Sequence, residues 1–317
     1  MHTVLAGDIG GTKTRLALAE VSGSQVRLLC EVRYASRNFS SFELLLGDFL
    51  SGKEAPRNAA FGVAGPVDVR SVDVTNLPLR IDADALMKRY GFASCKLLND
   101  LEATACGLPA LCEDDLLTLQ EGRANAVGNA AVIAPGTGLG EAGLFWDGKV
   151  HRPYATEGGH ASFSPGSELE IELLRHLQKR YGHVSWERVV SGEGLVNIYE
   201  FLRDRSGLQL DGRDAAAISQ AALAGSDEIS VQTLDWFVRL LGADAGNLAL
   251  KAMSWAGLYI GGGIPPKILP ALEGGAFLEA FLNKGRMRHL LERMPVRVIL
   301  NDRAALYGAA LRAAEVA

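Results

Sequence analysis

The sequence predicts an α/β protein of two domains, and three observations lead to that prediction. Strand-like apolar runs alternate with long helical segments along the chain. At 317 residues the chain is long enough to form two domains. The segments "VLAGDIGGTKTRLALAE" and "VIAPGTGLGEAGLFWDG" each combine an apolar strand, a turn of glycine and threonine, and a second strand. This similarity indicates a duplicated core with two turns facing each other, unless two unrelated hairpins both contain glycine by chance.

The pattern of apolar residues also predicts where the individual elements lie. The predicted strands of the first domain are Val4–Ala6, Arg15–Val21, Val26–Tyr34, Ala59–Val63 and Lys96–Leu98. Later predicted elements are helices at 167–181, 192–205, 213–224 and 226–254, a strand from 257, and a helix at 303–314. The helix at 226–254 is either continuous or broken near Gly242. We interpret "EDDLLTLQEG", from residue 113, as a surface connection near a domain change, and predict domains at 1–112 with 302–317 and at 113–301.

Composition narrows the classes of partner. The formal net charge is −5 and the sequence has no dense lysine and arginine run, which argues against nucleic acid or an anionic membrane and favours a small molecule. No apolar run is long enough to span a bilayer, and the N-terminus has the pattern of a strand rather than of a signal peptide. The four cysteines, at positions 30, 95, 106 and 112, lack metal-binding spacing. We therefore expect reduced thiols and a cytoplasmic protein.

The stretch "GDIGGTKTRLALAEV", residues 7–21, predicts a phosphate-binding hairpin of an uncommon kind. It lacks the spacing of the Walker loop and of the dinucleotide fingerprint, and the residues after Thr12 alternate as in a strand. Gly10 and Gly11 allow backbone amides to turn towards an anion, and the Thr12 hydroxyl can add a hydrogen bond. Asp8 would repel a phosphate, so its position makes sense if Mg²⁺, bound through water, lies between them.

Three motifs in order resemble those of the superfamily that contains actin, sugar kinases and heat-shock-chaperone ATPases. The D-x-G-G-T hairpin resembles its first phosphate motif, "APGTGLG" (134–140) its second, and "GLYIGGGIPP" (257–266) its adenosine motif. The resemblance implies ATP as a ligand and an actin-like (ribonuclease H-like) fold with an active-site cleft between two domains. It also implies that the nucleotide and its Mg²⁺ are bound by Gly7, Asp8, Ile9, Gly10, Gly11, Thr12, Gly136, Thr137, Gly262 and Gly263.

The segment "CKLLNDLEATACGL", residues 95–108, allows two interpretations. Asn99 and Glu102 have the spacing of a capping box, and Asp100 would lie in the first turn of a helix, so these residues could be purely structural. A carboxylate at a strand-to-helix junction beside a phosphate site is equally suited to act as the general base of a kinase.

Two further segments carry polar residues beside glycines. "YATEGGHASFSP" contains Glu157 and His160, and "WERVVSGEGLVNIYEFLR" contains Glu187. Taken singly, such residues usually make loop hydrogen bonds or cap helices.

Together, "LLND", "EGGH" and "ERVVSGEGLVNIY" resemble the bacterial glucokinase family, and the resemblance extends over essentially the whole chain. It implies that Asp100 deprotonates the 6-hydroxyl of glucose and that the enzyme is a homodimer. It also implies that glucose is bound by Asn99, Asp100, Glu157, His160, Glu187 and Gly138. One departure is Leu79, where family members often carry tryptophan, and which we interpret as local repacking; the nearby Asn76 is kept.

Three alternatives fit the sequence less well. The related repressor/kinase group carries a zinc-binding cysteine motif shortly after its E-x-G-H, and "EGGHASFSPGSELEIE" contains no cysteine. A sugar-responsive repressor would need a DNA-binding helix-turn-helix, and a chaperone-type ATPase would need a peptide-binding domain; we expect neither. A kinase of broader hexose or N-acetylhexosamine specificity stays open.

Overall fold

The computed structural model of the chain describes residues 2–65, 67–68, 70–74, 79–207 and 212–315. The chain divides into an N-terminal unit, Met1–Asp115 with Asn301–Ala317, and a central unit, Leu116–Leu300. Asn76 lies outside the described residues. No helix in the described part of the chain combines the length and the apolar character needed to cross a membrane.

The first part of the chain forms the strands and most of the helices of the N-terminal unit. Its strands are β1 (His2–Ile9), β2 (Lys13–Ser22), β3 (Gln25–Ala35), β4 (Asn58–Val63), β5 (Val67–Asp68), β6 (Ser71–Asp73), β7 (Arg80–Asp82) and β8 (Ser94–Asn99). Its helices before residue 116 are α1 (Phe42–Leu50), α2 (Ala83–Tyr90) and α3 (Asp100–Gly107), with 3₁₀ turns at Ser36–Asn38, Leu108–Ala110 and Glu113–Asp115.

The central unit contains the longest of the described helices. After it, the chain returns to the N-terminal unit and forms one further helix. The central strands are β9 (Leu116–Gln120), β10 (Ala130–Pro135), β11 (Leu139–Trp146), β12 (His151–Thr156), β13 (Gly257–Ile260) and β14 (Val296–Ile299). The central helices are α4 (Glu168–Tyr181), α5 (Gly192–Ser206), α6 (Ala215–Leu223), α7 (Glu228–Ala252), α8 (Leu269–Glu273), α9 (Ala276–Leu282) and α10 (Arg288–Leu291). Central 3₁₀ turns lie at Gly158–His160, Trp186–Arg188, Pro265–Lys267 and Gly285–Met287, and the last helix of the N-terminal unit is α11 (Ala304–Ala314).

Five strands of each main sheet have the same arrangement, and the central sheet adds β9 at one edge. In the N-terminal unit the strand order is β3-β2-β1-β4-β8, with an antiparallel β1–β2 hairpin and β1, β4 and β8 parallel. In the central unit the order is β12-β11-β10-β13-β14-β9, again with a hairpin, β10–β11, beside two parallel strands. The two glycine turns connect the strands of these hairpins. The duplicated α/β core predicted from the similar segments is therefore confirmed.

One predicted element needs correction, and one open alternative is decided. The stretch interpreted as a surface connection contains β9, which pairs antiparallel with β14. The helix beginning near residue 226 runs unbroken through Gly242. One glycine inside a long helix costs only about 1 kcal/mol, and a Cβ at position 242 would overlap the carbonyl oxygen of Phe277. The glycine therefore permits close packing of α7 and does not interrupt it.

Small residues control how helices pack on one face of the N-terminal sheet. Val4 and Ala6 of β1 are buried there with alanines of β2 and β4, whereas Leu5 and Ile9 point to the opposite face, towards α1. On the alanine-rich face α3 and α11 pack so closely that a Cβ on Gly308 would overlap the carbonyl oxygen of Ala103. The position of α3 on the sheet therefore depends on small side chains.

Leu79, which replaces a residue that is often aromatic in the resembled family, lies in the other core of this unit. It is 5% exposed and belongs to the same buried cluster as Val74 and Ile81. Its carbonyl oxygen accepts a hydrogen bond from the Val74 amide at 2.8 Å. The predicted repacking is thus a change inside a hydrophobic core.

Gly308→Ala tests the close packing of α3 and α11. Alanine favours a helix over glycine, but the added methyl group has no space against Ala103. We expect the free energy of unfolding to fall by about 1–3 kcal/mol, as for other overpacked cores. Urea unfolding followed by circular dichroism measures the change. The control is Gly212→Ala, where a Cβ meets nothing within 4 Å; equal stability of the two variants would contradict the expectation.

Candidate active site

The first glycine turn is held by the residues around Ser36. The Gly10 amide donates to the carbonyl oxygen of Lys13 at 2.9 Å, and the Ser36 amide donates to the Thr12 carbonyl oxygen at 3.1 Å. The Ser36 hydroxyl donates to the Gly10 carbonyl oxygen at 2.8 Å. The hairpin predicted from the alternating sequence is confirmed. The Gly10 amide, however, is engaged in a hydrogen bond within the turn.

Gly7 and Ile9 lie on β1, and the side of the strand to which their side chains point faces the hydrophobic core. A Cβ on Gly7 would lie 2.6 Å from Cδ1 of Phe61, and Ile9 is 1% exposed. Any contact of these two residues with a nucleotide would therefore involve their backbone alone.

Asp8 is a partly buried carboxyl group next to an ion pair. It lies opposite Arg15 in the β1–β2 pairing, and Arg15 forms an ion pair with Asp302 and donates to the Asp302 carbonyl oxygen at 2.8 Å. Burial raises the pKa of Asp8 to about 6, although the Arg15 charge acts in the opposite direction. The sequence analysis did not identify Arg15 or Asp302, since nothing in their local sequence marks them.

Asn99 and Asp100 begin helix α3. Oδ1 of Asn99 accepts from the Leu101 amide at 2.9 Å and from the Glu102 amide at 3.4 Å. Oδ1 of Asp100 also accepts from the Leu101 amide, at 2.9 Å. The N-cap of the predicted capping box is therefore present. It fixes both side chains at the end of β8.

Asp8 and Asp100 lie at the same edge of the N-terminal sheet, the edge where β1, β4 and β8 end. Asp8 pairs in register with Gly62, and Gly62 with Leu98, so Asp8 and Leu98 are separated by roughly 10 Å, two strand spacings. A Cβ on Gly62 would lie 2.6 Å from Cβ of Ala103. The glycine therefore allows α3 to begin directly over the strand ends.

In the central unit, the second glycine turn is joined to Glu187. The Gly136 amide donates to the Gly138 carbonyl oxygen at 2.8 Å, and the Leu139 amide donates to Oε2 of Glu187 at 2.9 Å. A Cβ on Gly138 would overlap that same carboxylate oxygen. Glycine at position 138 thus leaves the space in which the Glu187 carboxylate lies.

The loop that contains Glu157 and His160 packs against the start of β11. A Cβ on Gly159 would overlap the Leu139 carbonyl oxygen, so the loop backbone lies directly on the strand that follows the second turn. The side chains of Glu157 and His160 are exposed, with 3.9 Å between Oε2 and Nε2. The central unit therefore brings together four of the residues implicated in sugar binding: Gly138, Glu157, His160 and Glu187.

The segment that resembles an adenosine motif lies beside the second turn. The Ile264 amide donates to the Pro135 carbonyl oxygen at 3.3 Å. Gly262 has a φ of +88°, and a Cβ there would overlap the same carbonyl oxygen. A Cβ on Gly263 meets nothing within 4 Å, so space is open beside it. The exposed Thr137 also lies on this turn.

The central unit contains a pair of buried acidic residues that the sequence analysis did not identify. Glu141 on β11 and Asp244 on α7 are both buried and share a side-chain hydrogen bond. A usable signal was present, because each is a charged residue inside an otherwise apolar pattern. Within the described ranges, no group of three or more histidine, cysteine, aspartate or glutamate side chains could hold a metal ion by itself.

Comparison with known proteins covers the whole chain. The Glucokinase family model matches residues 5–316. The glucokinase of Trichormus variabilis is 42% identical over 343 residues, covering 100% of both chains.

Solved structures agree with this match. A crystal structure of glucokinase from an Antarctic psychrotroph has a TM-score of 0.89 and 32% identity, covering 99% of each chain. The glucokinase of Balamuthia mandrillaris, solved in complex with glucose, has a TM-score of 0.83 and 24% identity, covering 99% of this chain and 94% of that one; at this identity it supports the fold alone. The chain has the actin-like two-domain ATPase fold of sugar kinases and belongs to the glucokinase family.

Proposed function

We propose that this enzyme transfers the γ-phosphoryl group of ATP to the 6-hydroxyl of glucose, with Asp100 as the general base. The observation that carries the proposal is the position of Asp100 at the edge where β1, β4 and β8 end, the edge that also carries the first glycine turn. Ligands of open α/β sheets bind at the carboxyl ends of the parallel strands.

The chemical step needs little from the protein beyond alignment and one proton acceptor. As the O6 atom of glucose attacks the γ-phosphorus, its proton passes to the Asp100 carboxylate, and the bond between the γ-phosphorus and the bridging oxygen of ADP breaks. The Leu101 amide, which donates to Oδ1 of Asp100 at 2.9 Å, orients the carboxylate for this role. Holding base and hydroxyl in contact is the main contribution of such a residue.

Sugar recognition is assigned to residues of both units. Asn99 and Asp100 of the N-terminal unit, with Glu157, His160 and Glu187 of the central unit, supply donors and acceptors for the hydroxyl groups of glucose. The bond from the Leu139 amide to Oε2 of Glu187 leaves the other carboxylate oxygen to accept from a sugar hydroxyl. A site that pairs with each hydroxyl rejects an analogue lacking one by about 10⁴-fold, because its own polar groups would be left unpaired. The glucokinase of Trichormus variabilis, 42% identical to this chain, supports the choice of sugar.

Nucleotide binding is assigned to the two glycine turns and the adenosine motif. Gly11 and Thr12 of the first turn and Thr137 of the second would contact the phosphates through amides and hydroxyls. The Gly136 amide is engaged with the Gly138 carbonyl oxygen within the second turn. The open space beside Gly263 would accept the ribose and adenine.

Mg²⁺ is assigned to Asp8, which would hold the ion through water. Carboxylate oxygens suit this ion, which usually keeps several waters and needs few protein ligands. The raised pKa of Asp8 fits the assignment, because a nearby cation would favour the charged form that burial disfavours. When bound, Mg²⁺ neutralises charge on the transferring phosphoryl group.

Two further parts of the proposal, the location in the cell and the oligomeric state, are supported by the resemblance to the glucokinase family. We assign the enzyme to the cytoplasm, in keeping with four cysteines that form no disulfide, and we propose a homodimer. Helix α7 is mostly buried within its own unit, so we do not assign it to the dimer surface.

A coupled assay for sugar 6-phosphate, run with Mg-ATP over a panel of hexoses, tests the proposed activity. We expect glucose to have the highest kcat/KM. Comparable values for mannose, fructose or N-acetylglucosamine would replace the proposal with a hexose kinase of broad specificity. Stoichiometric zinc in the purified protein would indicate the repressor/kinase chemistry instead.

Asp100→Asn tests the general base. The amide keeps an oxygen for the Leu101 amide but cannot take the proton, so we expect kcat to fall by about 10²–10⁴-fold. Glucose and ATP should still bind, which calorimetry can measure. The control is Asp82→Asn, which changes an aspartate that caps α2 in the same unit and should leave kcat unchanged. Wild-type turnover in Asp100→Asn would exclude this base.

Asp8→Asn tests the cost of burying the Asp8 carboxylate. The folded pKa of about 6 lies above the ordinary 3.8, so the folded protein keeps a proton that the unfolded chain releases between these values. Wild-type stability should therefore fall relative to Asp8→Asn as the pH rises through this window, by about 1–3 kcal/mol in all, and then stay constant.

Urea unfolding at several pH values, followed by circular dichroism, measures this difference. The exposed Asp68 of the same unit provides the control, since Asp68→Asn should not change the pH dependence. A constant offset between wild type and Asp8→Asn from acid to neutral pH would contradict the expectation.

A further inference from the structure

Glu141 and Asp244 form a buried pair of carboxyl groups that the proposed chemistry does not use. Glu141, on β11, is 6% exposed, and Asp244, on α7, is 2% exposed. Their side chains are joined by a hydrogen bond. Two ionised carboxylates have no proton to donate, so this hydrogen bond exists only while the pair holds one.

The surroundings favour a proton on Asp244. Its Oδ2 atom is buried and accepts no hydrogen bond from an amide, hydroxyl or cationic group of the described residues, so ionisation would leave a charged oxygen without such a donor. Burial, with the neighbouring Glu141 charge, raises the pKa of Asp244 to about 8. Burial also raises the pKa of Glu141.

The charged groups that face the pair are two lysines. Lys251, on the same helix as Asp244, attracts both carboxylates, and Lys284, which follows α9, attracts Asp244. Lys251 is exposed. The ammonium of Lys284 donates to the Ala243 carbonyl oxygen at 2.8 Å and to Oδ1 of Asn247 at 2.7 Å. Neither lysine is hydrogen-bonded to the pair, so neither replaces the shared proton.

The pair lies directly under the loop that contains Glu157 and His160, the titratable groups on that side. A Cβ on Gly158 would overlap Oε2 of Glu141, so the loop backbone lies against this carboxyl group. Thr156, which precedes the loop, donates from its hydroxyl to the Glu141 carbonyl oxygen at 3.0 Å and accepts from the Gly158 amide at 3.3 Å. A displacement of Glu141 would therefore move the loop.

We propose that the proton shared by Glu141 and Asp244 positions the loop 157–160 for glucose, so that loss of this proton weakens sugar binding and leaves the chemical step intact. The inference rests on the proposed function, because it takes Glu157 and His160 as sugar-binding residues. Above the pH at which the pair loses its last proton, two buried negative charges repel each other, and Glu141 is pushed towards Gly158.

The test is the pH dependence of KM for glucose and of kcat, measured from about pH 6.5 to about pH 9.5. For wild type we expect KM to rise about tenfold towards alkaline pH, whereas kcat changes by less than about threefold. Asp244→Asn cannot titrate, and its amide can donate to Glu141 at every pH. In this variant we expect KM to stay near the neutral wild-type value over the whole range.

Two other variants complete the set. Asp235→Asn, on the exposed side of α7 where Asp235 pairs with Arg239, is the matched control and should keep the wild-type profile. Asp244→Ala removes the donor to Glu141 and should raise KM at every pH. A wild-type KM that does not change with pH, or a rise that persists in Asp244→Asn, would overturn the inference.

Thermal unfolding gives a readout that does not depend on activity. Because the pKa of Asp244 is raised from 3.8 to about 8, wild-type stability should fall relative to Asp244→Asn between these values and then level off. The tryptophans at 146, 186, 236 and 255 all lie in the central unit, so their fluorescence reports on this part of the chain.

The possible failures are distinguishable. If Tm of wild type and Asp244→Asn changes in parallel with pH, the pair does not hold the proton and the inference is wrong. If the pH-dependent difference in Tm is found but wild type phosphorylates no hexose, the proposed function is wrong and the role in glucose binding is wrong with it. If wild type is active and its KM is flat, the function stands and the inference alone is wrong.

Discussion

The candidate site of the central unit depends on one steric constraint: three of its glycines have no room for a Cβ. At Gly138 the space is filled by the Glu187 carboxylate, at Gly158 by the Glu141 carboxylate, and at Gly159 by the Leu139 carbonyl oxygen. The loop with Glu157 and His160 can therefore lie on β11, immediately after the second glycine turn. A methyl group would displace a carboxylate side chain at Gly138 and Gly158, and at Gly159 it would separate the loop backbone from β11.

In the N-terminal unit, small side chains also determine where the candidate residues lie. There the small side chains lie under the helices: alanines cover one face of the sheet, and α3 and α11 cross with Gly308 against Ala103. Helix α3 can then begin at the strand ends, where Asn99 caps it and Asp100 occupies its first turn. The structural and the catalytic interpretations of this segment are therefore compatible. The hydrogen bonds that start the helix are the same ones that orient the proposed base.

Carboxyl groups near the site differ from those on the surface. Burial raises the pKa of Asp8 to about 6 and that of Asp244 to about 8. On the surface, hydrogen bonds from the Val150 and Lys149 amides and from Arg152 instead lower the pKa of Asp147 to about 2. Protein folding alone does not require buried acids, and they cluster at functional sites because their protonation is adjusted there. The pKa of a carboxyl group in this protein therefore depends on its burial and on the hydrogen-bond donors around it.

The sequence by itself determined the α/β class, the two glycine hairpins and the capped helix at Asn99, because each follows from local periodicity, turn residues or capping chemistry. It missed β9, because that strand is defined by pairing with β14 about 180 residues later, and local patterning contains no such partner. Only the tertiary structure joined Arg15 to Asp302 and Glu141 to Asp244. These pairs depend on contacts between distant segments. The hydrogen bond between Arg15 and Asp302 and the burial of Glu141 and Asp244 shift the pKa values of these groups, and both exist only once the segments have packed.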